Sequence, residues 1–261
     1  GDIYFDLLLS RQVDQVKIYG QPDYYLNGSE NPASELNSDI QKDSGLWSAF
    51  RFNRIKLDGI VGTATDPVTV FTGDSEDTPF ILGALRFASL STEQGSDIVN
   101  LGGSDQSSID LGPGLDQIVI SGEVLQTTIN AGEGGDSLIL GSLANSQIIG
   151  SGGDDVVQID GSTVSTAFYG DDLLGSALGG NDTLILPSSL SSYALELASD
   201  PVSSVLSFRD GQANLYSGFE NYVFADGSYT SAQLQQAFGG DGVTLSDLVI
   251  GIVGQTSIEE G

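Results

Sequence analysis

An aspartate recurs about every 19 residues through the middle of this 261-residue chain. The recurring aspartates are Asp58, Asp77, Asp97, Asp116, Asp136 and Asp154. Most of them lead directly into a short apolar run, as at 118–120 and 138–140. A second apolar series lies between them with the same period: Ile109, Ile129, Ile148 and Phe168. Two interleaved series with one period indicate two short β-strands in each repeat.

A repeat of this length predicts an all-β fold, because it holds two strands and two turns but no helical crossover. Equivalent strands must then stack in parallel about 4.8 Å apart, as a parallel β-roll or β-solenoid with coils of about 19 residues. One coil buries too little to be stable alone, so we expect antiparallel β segments to cap both ends. The predicted division is an N-terminal β cap over 1–52, a solenoid over 53–190 with an insertion near 170–180, and a C-terminal capping β region over 191–261. A short helix is predicted within the last region, at 231–238.

Three consecutive turns share one spacing of glycine and aspartate. They read Gly112-Pro113-Gly114-Leu115-Asp116, Gly132-Glu133-Gly134-Gly135-Asp136 and Gly150-Ser151-Gly152-Gly153-Asp154. Each is G-x-G-x-D and precedes a predicted strand. Because glycine permits positive φ, such a turn can curl its carbonyls toward the aspartate carboxylate. A hard cation between two stacked turns can therefore gather about six oxygens, the number that calcium prefers.

Partial copies of the motif lie on either side, at Gly95-Ser96-Asp97 and Gly180-Asn181-Asp182. In the third turn the glycine spacing favours Asp154 as the ligand, whereas inward-facing Val157 and Ile159 favour Asp155. A one-residue change in strand phase exchanges the two faces, so both aspartates stay candidates. The candidate metal ligands are Asp97, Gly112, Gly114, Asp116, Gly132, Gly134, Asp136, Gly150, Gly152, Asp154, Asp155 and Asp182.

Residues 95–187 resemble the repeats-in-toxin family, whose G-G-x-G-x-D-x-U-x repeats form a calcium-binding parallel β-roll. Residues 218–230 resemble the segment that caps such arrays. In that family both half-turns of a coil normally carry the motif, whereas here the opposite turns, such as 123–126, offer little to a metal. The resemblance therefore implies one row of about three to five Ca²⁺ ions. It also implies a bacterial protein that folds after export, when it meets external calcium.

Composition excludes several other kinds of site. The chain has no histidine and no cysteine, which rules out Ser-His-Asp and Cys-His catalysis and ordinary zinc, haem and iron–sulfur centres. A net charge of −28 argues against nucleic-acid binding. Residues 87–261 hold 23 acidic side chains and one basic one, a balance of 1 − 23 = −22. A merely soluble or halophilic surface is the alternative explanation of this charge. The longest apolar stretch, near 245–253, is too short to span a membrane.

We therefore expect a non-enzymatic, extracellular, calcium-binding structural or interaction protein, as in a surface layer, filament or adhesin. Its expected partners are calcium, further copies of itself, or other proteins or polysaccharides of the cell surface. The alternative is an accessory calcium- or carbohydrate-binding module of a secreted polysaccharide-active enzyme. No catalytic residues are expected, because the acid pairs Asp154-Asp155 and Asp171-Asp172 project to opposite faces of a strand.

Overall fold

The computed structural model describes residues 79–171, 179–198 and 207–239, together with 5–6, 55–57, 60–61, 64 and 68–71. The strands in chain order are β1 (Phe5–Asp6), β2 (Ile55–Leu57), β3 (Ile60–Val61), β4 (Val68–Phe71), β5 (Pro79–Arg86), β6 (Ala88–Ser91), β7 (Ile98–Asp105), β8 (Ser108–Asp110), β9 (Gln117–Ile120), β10 (Val124–Leu125), β11 (Thr128–Glu133), β12 (Ser137–Leu140), β13 (Leu143–Ala144), β14 (Gln147–Gly152), β15 (Val156–Ile159), β16 (Thr163–Val164), β17 (Ala167–Asp171), β18 (Thr183–Ile185), β19 (Glu196–Ala198), β20 (Ser207–Arg209), β21 (Leu215–Ser217), β22 (Asn221–Phe224) and β23 (Gly227–Thr230). One helix, α1 (Ser231–Gly239), and a 3₁₀ turn, Leu190–Ser192, complete the described elements.

The strands form two sheets, and each coil of the chain contributes to both. The first sheet has the order β1-β2-β5-β7-β9-β12-β15-β18-β22-β23, and the second has the order β19-β20-β21-β17-β14-β11-β8-β6-β4. Short strands β10, β13 and β16 form a parallel ladder at a corner between them. Pairing is parallel from β1 through β22 in the first sheet and from β4 through β21 in the second. The predicted all-β parallel solenoid is thereby confirmed.

The core consists of two ladders of buried side chains, one from each sheet. In the first sheet the register aligns Val99, Ile118, Leu138, Val157, Leu184 and Tyr222. In the second it aligns Ile109, Ile129, Ile148, Phe168 and Tyr216. All of these side chains are fully buried. The alternation of apolar and polar residues along each strand fixes this register, because a slip of one residue would turn the ladder toward solvent.

A corner that the sequence analysis did not single out carries a second kind of column. One residue in each of five coils has left-handed backbone there. These residues and their φ angles are Phe87 (48°), Gln106 (49°), Gln126 (47°), Asn145 (52°) and Ser165 (48°). A buried hydroxyl residue follows four of them: Ser107, Thr127, Ser146 and Thr166. Within this column the Thr127 N–H donates to Ser146 Oγ at 3.2 Å, and Ser146 Oγ donates to the carbonyl of Ala144 at 3.0 Å. Ser146 thus has an acceptor for its own hydroxyl proton and also accepts a backbone N–H of the neighbouring coil.

The C-terminal end closes with antiparallel strands. Strands β19, β20 and β21 pair antiparallel, as do β22 and β23, and helix α1 packs its buried Leu234 beside them. Aromatic rings fill this end; Phe168 stacks on Tyr216 with centroids 5.4 Å apart. The helix occupies the region predicted at 231–238. The predicted N-terminal cap over 1–52 lies outside the described residues except for β1. Most of the predicted insertion near 170–180 also lies outside the described residues.

Replacement of Gln126 by Asn should stabilise the protein by up to about 1 kcal/mol, because Asn tolerates left-handed backbone better than other non-glycine residues. Gln126 is exposed, and Asn145 already occupies the equivalent position of the next coil. Thermal unfolding followed by circular dichroism measures the change. Gln117→Asn, on an exposed position of strand β9, is the matched control and should be neutral or destabilising. Equal destabilisation by both substitutions would contradict the strain at Gln126.

Candidate metal centre

Five aspartates form a column along one corner of the solenoid. Each directly precedes a strand of the first sheet, and the members are Asp97, Asp116, Asp136, Asp155 and Asp182. Their side chains are buried, with at most 2% of the residue exposed. The strands place them there, because the residue that follows each aspartate faces outward and the next one joins the core ladder. The position two residues before each inward-facing ladder residue is therefore repeated once per coil.

One carboxylate oxygen of Asp116, Asp136, Asp155 and Asp182 accepts a backbone N–H of the coil before it. The Asp97 N–H donates to Asp116 Oδ1 at 2.7 Å. The same bond joins each aspartate to the next at 2.8 Å, through Asp182. At the end of the column the Asp182 N–H donates to Glu220 Oε2 at 2.8 Å. The hydrogen bonds hold the carboxylates in one row and extend that row into the C-terminal cap.

The second carboxylate oxygen has no hydrogen-bond partner in four of these residues. The buried Oδ2 atoms are those of Asp116, Asp136, Asp155 and Asp182. An ionised carboxylate that leaves water without a full set of partners costs several kcal/mol. The column therefore has a strong thermodynamic demand for a proton or a cation at each of these oxygens.

Burial accordingly raises the pKa of all four carboxyls above the usual 3.8: to about 6 for Asp116, about 7 for Asp155 and Asp182, and about 8 for Asp136. Desolvation is the largest cause, and the backbone N–H bond described above opposes it. Charge repulsion adds to the shift where neighbours are close; Asp155 and Asp116 both raise the pKa of Asp136. Without a cation, the protonated form prevails up to about pH 6 for Asp116 and up to about pH 8 for Asp136.

Stacked backbone flanks the aspartates. Gly95, Gly114, Gly134, Gly153 and Gly180 form one column, and a Cβ on any of the last four would overlap the carbonyl of the glycine one coil earlier. A second column begins with Gly112 and Gly132, which have φ of 85° and 106°. Register then continues this column through Ser151 and Asp171. The backbone of successive turns is thus closely stacked, and the position that a Cβ would take on Gly114 lies 3.0 Å from Asp116 Oδ1.

The structure places the third turn one residue later than its G-x-G-x-D spacing indicates. Ser151, Gly153 and Asp155 join the columns, and Ser151 adopts the glycine-like φ of 84°. The phase of strand β15 is the physical reason, because Val157 and Ile159 are buried only in this register.

Three of the candidate ligands therefore lie outside the columns. Asp154 is exposed, and its Oδ1 accepts the Asn181 N–H at 2.9 Å. Gly152 is displaced in the same way, since register pairs it with Glu133. Gly150 is buried, and a Cβ added to it would overlap the carboxylate of Asp155. The other candidates, Asp97, Gly112, Gly114, Asp116, Gly132, Gly134, Asp136, Asp155 and Asp182, all belong to the columns.

Sequence reasoning missed Glu220. It ends the aspartate column although it lies in the capping segment and in no glycine-rich turn. The available signal was its position immediately before the alternating strand β22, where the preceding coils have aspartate. A search for acids before inward-phased strands would have found it.

The donor set suits a hard cation that accepts backbone oxygens. No three acidic side chains of the described residues form a group that could hold a metal by themselves. Each turn instead offers one buried carboxylate and a set of stacked carbonyls. Calcium takes mixed carboxylate and carbonyl ligands in flexible geometry, whereas magnesium requires a near-ideal octahedron and retains water. Such a donor set would suit calcium better than magnesium.

Comparison with known proteins adds no assignment, because no family model, curated protein or solved structure matches this chain. Within the described residues, no helix has the length and apolarity needed to cross a membrane.

The metal-free protein should lose stability as pH rises from about 4 to about 8. A carboxyl whose pKa is raised by folding favours the folded state while protonated, so its contribution is complete below its unfolded pKa and is lost as pH rises through its folded pKa. For the column the unfolded pKa is 3.8 and the folded values are about 6 to 8, which sets this window. Melting temperatures in chelator at constant ionic strength measure the trend. A melting temperature that stays level or rises across this range would contradict the burial of the column.

Replacement of Asp136 by Asn should have opposite effects with and without calcium. In chelator above about pH 8 the neutral amide is cheaper to bury, and we expect a gain of about 1–3 kcal/mol. In excess calcium the variant lacks a charged ligand and should be less stable than the wild type. Chemical unfolding in both conditions measures the two differences. Glu123→Gln removes an exposed charge from the opposite corner and should show no such reversal.

Proposed function

We propose that this chain is a calcium-binding structural protein whose solenoid is completed by a row of ions along the aspartate column. The observation that carries the proposal is the set of buried Oδ2 atoms without partners at Asp116, Asp136, Asp155 and Asp182. Calcium would satisfy these oxygens and link each coil to the next. Carbonyls of the stacked turns would supply the neutral ligands that complete its coordination.

The free energy of calcium binding at these turns would contribute to the free energy of folding. Stacked coils bring like charges together once per coil, so the folded state without ions carries repulsion that the extended chain avoids. Ions that bind only the folded arrangement stabilise it by about 2.7 kcal/mol per site at a hundredfold excess over Kd. Folding then depends on the calcium concentration, as in other proteins whose metal sites exist only in the folded state.

The proposed setting is the outside of a bacterial cell. Sites with few carboxylates fall at the weak end of calcium affinity, at Kd of about 10⁻⁴ to 10⁻³ M, a range that external calcium fills and cytosolic calcium does not. The resemblance of residues 95–187 to repeats-in-toxin proteins supports the same setting. A rigid, ion-linked solenoid suits a surface layer, filament or adhesin that associates with itself or with neighbouring surface components. The proposed role is not enzymatic.

Calcium should raise the melting temperature of the metal-stripped protein and sharpen its β-sheet circular dichroism, and a chelator should reverse both effects. The half-saturating concentration should lie at about 10⁻⁴ to 10⁻³ M. Magnesium at the same ionic strength is the control and should have a much smaller effect. Identical spectra and melting temperatures with calcium and with chelator would overturn the proposal.

Solution size tests the assembly part of the proposal separately. Light scattering of the calcium-loaded protein should show association that rises with protein concentration and reverses on chelation. A strict monomer in saturating calcium would leave the calcium sites intact but remove the structural, self-associating role. Binding of an acidic polysaccharide by that monomer would instead favour an accessory module of a secreted enzyme.

A further inference from the structure

The outer face of the first sheet carries no charge along six successive strands, β7, β9, β12, β15, β18 and β22. Each strand places two side chains on this face, one on either side of its buried ladder residue, as Ile98 and Asn100 flank Val99. None of the twelve side chains at these described positions is acidic or basic, although the whole chain has a net charge of −28. We call these twelve positions the neutral face.

Each of the six strands gives the neutral face one β-branched aliphatic residue and one uncharged polar residue. The aliphatic members are Ile98, Val119, Ile139, Val156, Ile185 and Val223. Register sets Val119 beside Ile139 on one half of the face. On the other half it sets Ile185 beside Val223, and Val156 lies on the strand between the two pairs. Single exposed aliphatic residues are common on protein surfaces, whereas a continuous apolar strip of this kind marks a contact surface.

Exposed apolar side chains are concentrated on this side of the molecule. Three of the five large apolar residues that are exposed among the described ones lie on the neutral face or at its border. Ile98 and Val156 are 38% and 37% exposed, and Leu115, in the turn that leads into β9, is 67% exposed. Leucine and β-branched side chains in contact with water retain apolar area that association can bury.

The outer face of the second sheet has a different composition. Strands β8 and β11 place Ser108, Asp110, Thr128 and Asn130 there, and the Asn130 amide donates to Asp110 Oδ1 at 3.1 Å. The outward isoleucine of β14, Ile149, is already buried. Hydroxyl, amide and carboxylate groups are well solvated by water. Of the two described sheets, the first therefore has the outer face that favours a partner.

A second copy of this chain is the partner that the charge distribution favours. Exposed acids border the neutral face, as Asp154 and Asp160 do before and after β15. Two chains this acidic repel wherever their acids meet, so copies can approach best through a surface without acids. A basic partner would instead be drawn to the acidic borders. With two neutral faces in contact, the bordering acids lie at the rim, where water and salt screen them.

The shape of the neutral face also suits a second sheet. Sheets pack face to face about 10 Å apart, with the side chains of the two faces interdigitated. Six strands about 4.8 Å apart, with four residues of each at about 3.3 Å, give a face of roughly 29 by 13 Å. Two such faces and their borders would bury about 1,000 Å² in total, the lower limit for a specific interface. The expected association is therefore weak, with a Kd of about 10⁻⁶ M or higher.

We propose that two copies of this chain pair through their neutral faces, sheet against sheet and related by a two-fold axis. The same surface serves both copies, so this contact closes at a dimer. Ile139, on β12, lies near the centre of the face and is buried by the other copy. The inference rests on the self-association in the proposed function and adds the surface that carries it. It does not depend on which atoms bind the ions.

Sedimentation velocity of the folded full chain in saturating calcium, over a range of protein concentrations, tests the neutral face. The wild type should pass from monomer to dimer as its concentration rises. Ile139→Glu should weaken dimerisation by about tenfold or more, because pairing would bury two like charges. Thr128→Glu adds the same charge to the outer face of the second sheet and should change the dimer Kd by less than about twofold.

Cross-linking gives a second, independent readout, because the chain has no cysteine. Ser137→Cys, on the same strand and face as Ile139, should give a covalent dimer with a short bis-maleimide linker. Gln147→Cys, on the outer face of the second sheet, is the matched control and should stay monomeric. Circular dichroism shows whether each variant is folded. If Ile139→Glu does not fold, the two cysteine variants decide, since serine and cysteine are similar in size.

Equal dimerisation of the two glutamate variants overturns the neutral face, as does cross-linking of Ser137→Cys that does not exceed that of Gln147→Cys. The wild type then still associates, and the proposed function stands with a different contact. A wild type that stays monomeric overturns both this contact and the self-associating role, and calcium titration of the same sample shows whether the calcium-binding function fails with them. A monomer that binds a neutral polysaccharide through this face assigns the face to that ligand and overturns the pairing.

Discussion

The burial of one carboxylate per coil is the constraint on which the rest of this solenoid depends. In five coils the residue before the strand of the first sheet is a buried aspartate. One oxygen of the carboxylate then fixes the neighbouring coil through a backbone N–H, as Asp116 does for Asp97. The other oxygen is left buried without a partner at four coils. The same side chain therefore sets the register and creates the need for an added positive charge.

The hydroxyl column at another corner shows how the chain solves the same problem without charge. Ser146 accepts a backbone N–H from one coil and donates its own hydrogen to the carbonyl of Ala144, so neither role is left unfilled. A hydroxyl has both a donor and an acceptor, whereas an ionised carboxylate only accepts. The cap terminates both columns with a residue of matching chemistry. Asn214 Oδ1 accepts the Thr166 N–H at 3.0 Å, and Glu220 accepts that of Asp182.

Much of the fold could be predicted from the sequence, because the buried apolar residues recur with the period of the coils. The series through Ile109, Ile129 and Ile148 predicted a ladder, and the structure aligns those residues in one sheet. The position of the third turn was not decided by its glycines, since Ser151 can take the positive φ that the motif assigns to glycine. The left-handed corner at Gln126 and the role of Glu220 gave weaker signals still. Glutamine is not typical of left-handed backbone, and glutamate is not typical of a cap. Both roles therefore become visible only when the coils are stacked in the structure.

The two columns give the solenoid one edge of hydrogen-bonded hydroxyl groups and one edge of buried carboxylates whose Oδ2 atoms have no hydrogen-bond partner at four coils. Hydroxyl-to-backbone bonds at the first edge are neutral, so their contribution to stability changes little with pH or ionic conditions. At the second edge each coil adds a buried carboxylate that repels those above and below it, as the coupling of Asp136 with Asp155 and Asp116 indicates. Each added coil enlarges the apolar core. It also adds the free-energy cost of one more buried carboxylate. Under the proposed function, the number of bound ions would therefore rise with the number of coils.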